Sequence, residues 1–134
     1  MNPNPFIPSP QPSPETTPFW EAARQCKLLL RQCSICGKAH YYPRPACPFC
    51  GGNTDWIESG GNGQVYSYSA MSRAIPPYMM CYVMLDEGVA MMSNVVECEL
   101  GMVHIGMRVR VVFIPSADGM PVPMFAPDRV KEIS

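Results

Sequence analysis

Two Cys-x-x-Cys pairs stand ten residues apart in the stretch RQCSICGKAHYYPRPACPFCGG, residues 31–52. Two such turns supply the four thiolates of a tetrahedral zinc shell, and a glycine after each pair provides the positive φ that the turn needs. These spacings predict a metal site whose ligands are Cys33, Cys36, Cys47 and Cys50. Because protein would fill all four positions, the metal is predicted to be structural zinc.

Paired thiols can also serve redox chemistry, a disulfide or an iron site. A redox Cys-x-x-Cys opens a helix after a strand, whereas Pro43 and Pro48 prevent regular helix here. A disulfide pair is disfavoured in a reducing compartment. Iron in a rubredoxin-type site uses the same ligands, so the spacing leaves iron open as the alternative metal.

The remaining titratable residues form no recognisable catalytic set. His40 and His104 have no nucleophile or acid at a telling spacing, and they are interpreted as surface or packing histidines. Asp86 and Glu87 lie in LDEG between two apolar runs, which predicts a hairpin turn. Cys81 lies in YMMCYVML, where burial would raise its pKa and make the thiol inert.

A short helix is predicted to precede the cysteine ribbon. Thr17 is the predicted N-cap and Pro18 the first helical residue, with the helix reaching about Gln25. Before it, residues 1–15 carry six prolines and are predicted to be a disordered or surface-draped arm, in which Phe6 and Ile7 could dock on a partner. The apolar face of the helix would consist of Phe19, Ala22, Ala23 and Cys26, with Cys26 serving packing.

Short β-prone runs account for most of the remaining chain. KLLLRQC and AHYYPRPAC are predicted as the strands that flank the first cysteine pair. Five further runs, GQVYSYSAM, YMMCYVML, VAMMSNVV, MRVRVVFI and VPMFA, are the size of a small barrel. The expected organisation is therefore an arm (1–15), a helix with a metal ribbon (16–57) and a barrel (58–134), in a mainly β protein.

The run Tyr78–Leu85 is apolar without alternation, which predicts that both faces of this strand are covered. A small barrel covers only one face, so the helix, the ribbon or a partner must cover the other. Only 16% of the residues are charged, and the chain has 11 methionines. These features favour a partner-covered surface, with Tyr78, Met80 and Tyr82 as candidate interface residues.

The formal net charge of -1 conceals a charge asymmetry. Residues 1–50 carry five basic and two acidic side chains, while the rest of the chain carries an excess of four acidic ones. A long phosphate-binding track is therefore not expected in the barrel half. No secretion leader and no run of 18 apolar residues is found, which predicts a cytoplasmic protein without a membrane span.

The order of the parts resembles a known family. PFWEAARQCKLLLRQC precedes the four-cysteine ribbon, and GQVYSYSAM, PPYMMCYVMLDEGVAMMSNVV, IGMRVRVVF and PMFAP follow it. This order, over roughly residues 17–130, is similar to the bacterial and archaeal zinc-ribbon plus OB-fold proteins long catalogued as a domain of unknown function. The resemblance implies an N-terminal helix, a rubredoxin-like zinc ribbon and a five-stranded OB barrel.

The resemblance also implies a function in acyl-CoA metabolism. Members of the family are partners of thiolase-superfamily acyltransferases and of aldolases that shorten steroid side chains, so the chain is expected to be an accessory subunit without catalysis of its own. A hetero-oligomer with two copies of each chain and a shared acyl-CoA site would follow. The basic residues near the ribbon are candidates for contacts with CoA or the partner, or for a solvated face that balances the thiolate charge: Arg24, Lys27, Lys38 and Arg44.

A single-stranded nucleic-acid-binding protein is the rival hypothesis. OB barrels and zinc ribbons both occur in such proteins, where aromatic side chains stack on bases. Tyrosines of the barrel half could do this, although the acidic balance of that half and the lack of a basic stripe disfavour it.

Overall fold

The computed structural model describes residues 7–11, 13–14, 16–41 and 46–128. Within them lie a helix, α1 (Thr17–Arg24), a 3-10 turn (Leu100–Met102) and eight strands. The strands are β1 (Leu29–Cys33), β2 (Ala39–His40), β3 (Thr54–Glu58), β4 (Asn62–Met71), β5 (Tyr78–Leu85), β6 (Ala90–Val95), β7 (Arg108–Pro115) and β8 (Pro121–Pro127). No helix among these residues has the length and apolar character needed to span a membrane.

The first three strands form a small antiparallel sheet in the order β2-β1-β3. β1 was predicted, but the returning strand is limited to Ala39–His40, and residues 42–45 of that segment lie outside the described residues. β3 was not predicted. It pairs with β1 along its whole length, from Leu29 opposite Glu58 to Cys33 opposite Thr54, and so fixes the position of the first ligand turn.

The other five strands close a barrel in the order β4-β5-β6-β8-β7, and each of them covers one of the five predicted runs. This five-stranded barrel and the preceding ribbon confirm the predicted fold class. β6 and β8 are parallel and join at a single residue pair, Val95 and Phe125, whereas the other neighbouring strands pair antiparallel over at least three residues. The barrel is therefore closed between β6 and β8 by its shortest strand pairing.

The helix connects the ribbon to the barrel, because it packs against both β1 and β8. Phe19 and Ala23 are buried in the same apolar cluster as Leu28, Leu30 and the barrel core. Two details of the helix prediction were wrong. The N-cap is Thr16, one residue earlier than expected, and Cys26 is exposed after the helix with φ of 59°, so it does no packing.

Of the covers predicted for the second face of Tyr78–Leu85, the chain itself supplies none, so cover by a partner stays a prediction. Burial alternates along β5: the side chains at positions 79, 81, 83 and 85 face the core, while Tyr78 and Tyr82 are exposed. The strand is apolar on both sides, but neither the helix nor the ribbon covers its outer side. An apolar sheet face is thus open to solvent.

The Asp86-Glu87 segment forms the predicted turn between β5 and β6, and it also ties the barrel together. Arg108 Nη1 and Nη2 donate to Asp86 Oδ1 and Oδ2, each at 3.1 Å. The Glu87 carboxylate accepts hydrogen bonds of 2.9 Å from Ser59 Oγ and from the Gly60 N–H, which lie in the connection between β3 and β4. The turn therefore joins the end of the ribbon to the start of the barrel.

Gly63→Ala should lower the free energy of unfolding by about 1–3 kcal/mol, because overpacking of this size cannot be relieved by a side-chain movement alone. A Cβ at position 63 would lie 2.5 Å from the Met84 carbonyl oxygen, which is backbone, and 2.9 Å from Val83 Cγ1. The matched control is Gly101→Ala, where a Cβ meets no atom within 4 Å. Denaturant titration of the three proteins checks this, and equal midpoints for both variants would contradict it.

Candidate metal centre and an exposed sheet face

The structure brings the four predicted thiols together. The Sγ atoms of the four cysteines all lie within 4.8 Å of one another. Cys33 Sγ is 3.5 Å from Cys50 Sγ, and Cys36 Sγ is 3.7 Å from Cys47 Sγ. In the described part of the chain, no other group of three metal-ligating side chains comes this close.

The two ligand turns repeat the same local geometry. Gly37 donates its N–H to the Cys33 carbonyl at 3.1 Å, and Gly51 donates to the Cys47 carbonyl at 2.9 Å. These glycines have φ of 76° and 77°, a conformation that costs a residue with a Cβ more than it costs glycine. Both turns thus depend on the glycine that follows each pair.

Backbone N–H groups point at the sulfurs and favour their thiolate form. Cys33 Sγ accepts from the N–H of Cys36 at 3.4 Å and of Ile35 at 3.3 Å. The N–H of Cys36 is the main cause that lowers the pKa of Cys33 to about 6, although burial opposes it. Burial likewise opposes the lowering of the Cys47 pKa, which N–H groups of Phe49 and Cys50 produce.

Four thiolates so close together need a cation. The Gly52 N–H favours the Cys50 thiolate, yet the pKa of Cys50 rises to about 11 because the Cys33 sulfur, burial and the other two sulfurs outweigh it. A divalent metal removes this repulsion. With a metal–sulfur bond of about 2.3 Å, the edge of a tetrahedron is about 3.8 Å, close to the two sulfur separations found here. The donor set therefore fits a tetrahedral structural metal with no open position.

The four basic candidates differ in their surroundings. Arg24, in the last turn of α1, and Lys27 are exposed. Lys38 Nζ lies 4.9 Å from the ring centroid of Phe49, an exposed residue of the second ligand turn. Arg44 lies outside the described residues. A cation that the prediction did not include, Arg31, stacks on Trp56 at 4.6 Å.

The two histidines and Cys81 lie outside the thiol cluster. His40 is buried in β2, and His104 is exposed with Nδ1 3.2 Å from the Met102 carbonyl oxygen. Cys81 is buried in β5, and burial raises the pKa of its thiol to about 11, as the sequence predicted. Such a thiol is a poor nucleophile at neutral pH.

An exposed apolar surface, here named the β5 outer face, consists of Met71, Tyr78, Met80, Tyr82 and Met92. Met71 of β4 pairs with Tyr78, and Met92 of β6 pairs with Tyr82. These two methionines therefore extend the surface formed by the three predicted interface residues. Tyr78 is 42% exposed, Tyr82 46% and Met92 53%, while Met80 is half-buried. Sequence reasoning missed Met71 and the outward direction of Met92, because only the strand register reveals them.

Comparison with protein families matches residues 20–55 to the "ChsH2, rubredoxin-like zinc ribbon domain" and residues 56–113 to the "ChsH2, C-terminal OB-fold domain". A "Probable enoyl-CoA hydratase alpha subunit" of Thermomonospora curvata is 34% identical over 124 residues, which are 87% of this chain. The chain spans only 39% of the length of that relative. A "DUF35 domain-containing scaffold protein" of Methanocaldococcus jannaschii is 34% identical over 98 residues, 67% of this chain and 69% of that protein.

Two solved structures resemble this one. A chain of the "Ltp2-ChsH2(DUF35) aldolase" has a TM-score of 0.77 and 30% sequence identity, over 89% of this chain and 98% of that chain. A DUF35-family protein of unknown function from Sulfolobus solfataricus has a TM-score of 0.63 over 87% of both chains, and at 16% identity it supports the fold alone.

Proposed function

Because this chain belongs to the ChsH2 (DUF35) family of zinc-ribbon and OB-fold proteins, we propose that it is a non-catalytic subunit of a thiolase-superfamily enzyme. The partner would be an aldolase or acyltransferase that acts on acyl or acyl-CoA substrates. The observation that carries the proposal is the β5 outer face, a contiguous surface of tyrosine and methionine side chains left open by the chain itself. Such surfaces are typical of protein interfaces.

The names of the relatives support a subunit role. One relative is named as the alpha subunit of a probable enoyl-CoA hydratase, and an archaeal relative is named a scaffold protein. The related solved structure is an aldolase named for two components, Ltp2 and ChsH2. Carried over to this chain, these names favour a partner that performs the chemistry while this subunit stabilises the complex and helps to form the acyl-CoA site.

The positions of the reactive side chains support the same division of labour. Four of the seven cysteines belong to the metal cluster, and Cys81 is buried with a raised pKa. A nucleophile needs a base within hydrogen-bond reach, and the two serine hydroxyls that donate to a carboxylate, Ser59 to Glu87 and Ser116 to Asp118, both do so within turns that these bonds close. The acyl-transfer or aldol step is therefore assigned to groups of the partner.

The metal is proposed to be zinc held by Cys33, Cys36, Cys47 and Cys50, with iron as the alternative that the same ligands accept. When bound, it crosslinks the two ligand turns and supplies folding free energy to residues 16–57, which are too few to bury a core of their own. In this proposal the barrel of residues 58–134 carries the partner surface. The basic residues Arg24, Lys27, Lys38 and Arg44 are assigned to the CoA phosphates or to acidic groups of the partner.

Co-expression with the thiolase-like gene nearest its own should yield a stable hetero-oligomer. A mass that corresponds to two copies of each chain is expected, because thiolase-like proteins usually dimerise. Light scattering of the purified complex measures this, with this chain by itself as the control. The cytoplasm is the proposed location of the complex.

Binding of single-stranded nucleic acid is the competing function, and the exposed tyrosines of the barrel motivate it. The acidic excess of residues 51–134 opposes it, since phosphate contacts need cations. If no co-expressed thiolase-like protein changes the mass, the partner hypothesis fails. Titration of the chain with single-stranded RNA and DNA at low salt then tests the competing function directly.

A further inference from the structure

An apolar groove of about 610 Å³ crosses the surface beside the β5 outer face. It is lined by residues 74–76 of the β4–β5 loop, by residues of β5 and β6, and by Val122 and Met124 of β8. Its large side chains include Ile75, Tyr78, Met80, Met92 and Met124, and none of the lining residues is charged. This volume falls within the range of about 300–1,000 Å³ that is usual for ligand-binding clefts.

The strand pairing explains why the groove exists. Val95 and Phe125 are the one residue pair in register between β6 and β8, so most of β6 forms no backbone ladder with β8. Proline at positions 121 and 123 of β8 supplies no N–H for further pairing. Ser93 Oγ crosses the gap and donates to the Pro123 carbonyl oxygen at 2.9 Å.

The N-terminal arm already reaches this groove. Ile7 and Pro8 are among its lining residues. The Ala117 N–H donates to the Ile7 carbonyl oxygen at 2.9 Å, and the Asp118 N–H donates to Ser9 Oγ at 3.0 Å. The β7–β8 turn therefore anchors the arm at the rim of the groove.

The anchoring turn is itself well ordered. Ser116 Oγ and the Met120 N–H both donate to Asp118 Oδ1, at 2.8 and 3.0 Å. The Met120 N–H is the main cause that holds the pKa of Asp118 below its usual value, followed by the Ser116 hydroxyl. The arm is thus attached to a turn whose own hydrogen bonds hold it in place.

We propose that the occupant of the groove is the N-terminal segment of this chain, residues 1–6, with Phe6 as its main apolar anchor. Residues 1–6 lie outside the described residues, but they continue directly from Ile7, so Phe6 is one residue, about 3.8 Å between Cα atoms, from a lining residue. The segment MNPNPF has no charged side chain, which matches the uncharged lining. Its prolines favour an extended chain, which loses little conformational entropy on docking.

Tyr78, Met80 and Met92 line the groove and also belong to the β5 outer face. The arm and an incoming protein would therefore meet at the same three side chains. It follows, on the basis of the proposed function, that the arm covers part of the partner surface in the free subunit and must be displaced or shared when the complex forms.

Methyl NMR of the isolated chain, labelled at its methionine methyl groups, tests the proposal. Phe6→Leu removes an aromatic ring, whose magnetic effect shifts nearby methyl resonances, while it keeps the side chain apolar. The methyl resonances of Met80, Met92 and Met124, which line the groove, should move. Those of the buried Met79 and Met91 and of the exposed Met102 should stay in place.

Phe49→Leu is the matched control, because Phe49 is 60% exposed in the second ligand turn and outside the groove. Groove methyl resonances that do not respond to Phe6→Leu would overturn the proposal. Shifts that disappear on dilution would also overturn it, since they would identify a second copy as the occupant. The experiment uses no partner, so its result is independent of whether the proposed complex forms.

Discussion

Replacement of Cys47 by serine is expected to remove most of the bound metal and to unfold the ribbon. A structural zinc site contributes about 10–16 kcal/mol in zinc-finger peptides, comparable to the roughly 5–15 kcal/mol that stabilises a whole domain. Cys47 is buried and its Sγ lies 3.7 Å from Cys36 Sγ, so a hydroxyl at this position leaves the remaining thiolates without a complete shell. The barrel should lose stability too, because Leu28 and Leu30 share its core. Elemental analysis and thermal unfolding measure the two effects.

Cys26→Ser provides the matched control for this experiment. It makes the same chemical change at an exposed cysteine outside the cluster, and it should leave metal content and unfolding temperature unchanged. Unchelated protein that carries less than about half an equivalent of zinc and iron combined would contradict the structural-metal assignment. Full metal content in Cys47→Ser would exclude Cys47 as a ligand.

Tyr82→Asp is expected to abolish the complex with the thiolase-like partner while the subunit stays folded. Tyr82 lies on the β5 outer face with 46% of its surface exposed, so the free chain tolerates a carboxylate there, whereas an interface would bury that charge without a counter-ion. Loss of a tyrosine anchor alone costs about 2 kcal/mol or more, which corresponds to roughly a thirty-fold increase in Kd. Light scattering and a binding titration of the co-expressed pair measure the loss.

The control for Tyr82→Asp places the same charge on another exposed side chain. Met102→Asp alters a residue that is 64% exposed in the 3-10 turn between β6 and β7, and the complex should persist. Both variants should keep the metal content of the parent chain. Unfolding of Tyr82→Asp would show that Tyr82 is needed for the core, and a complex of unchanged affinity would remove the β5 outer face from the interface.

The metal cluster and the turn at Asp86-Glu87 could be predicted because the determinants of both are local. Each ligand turn is closed within five residues by its two cysteines and the following glycine, and the β5–β6 turn by LDEG. The five barrel runs were also located correctly, since turn residues separate them along the chain. Alternation within β5 could not be predicted, because an all-apolar strand carries no signal of period two.

Contacts between segments that are distant in sequence decide which face of a strand each side chain joins. Met79 and Met80 are adjacent in sequence, yet Met79 is in the core and Met80 lines the surface groove, because the register of β5 against β4 and β6 fixes which face each one joins. β3 became a strand only through its pairing with β1, and Cys26 left the apolar face because the helix ends at Arg24. The sequence by itself determined which four thiols cluster and the order of the elements, since short-range turns encode both. The tertiary structure decided which apolar side chains face solvent, since a one-residue change of strand register exchanges the two faces of a sheet.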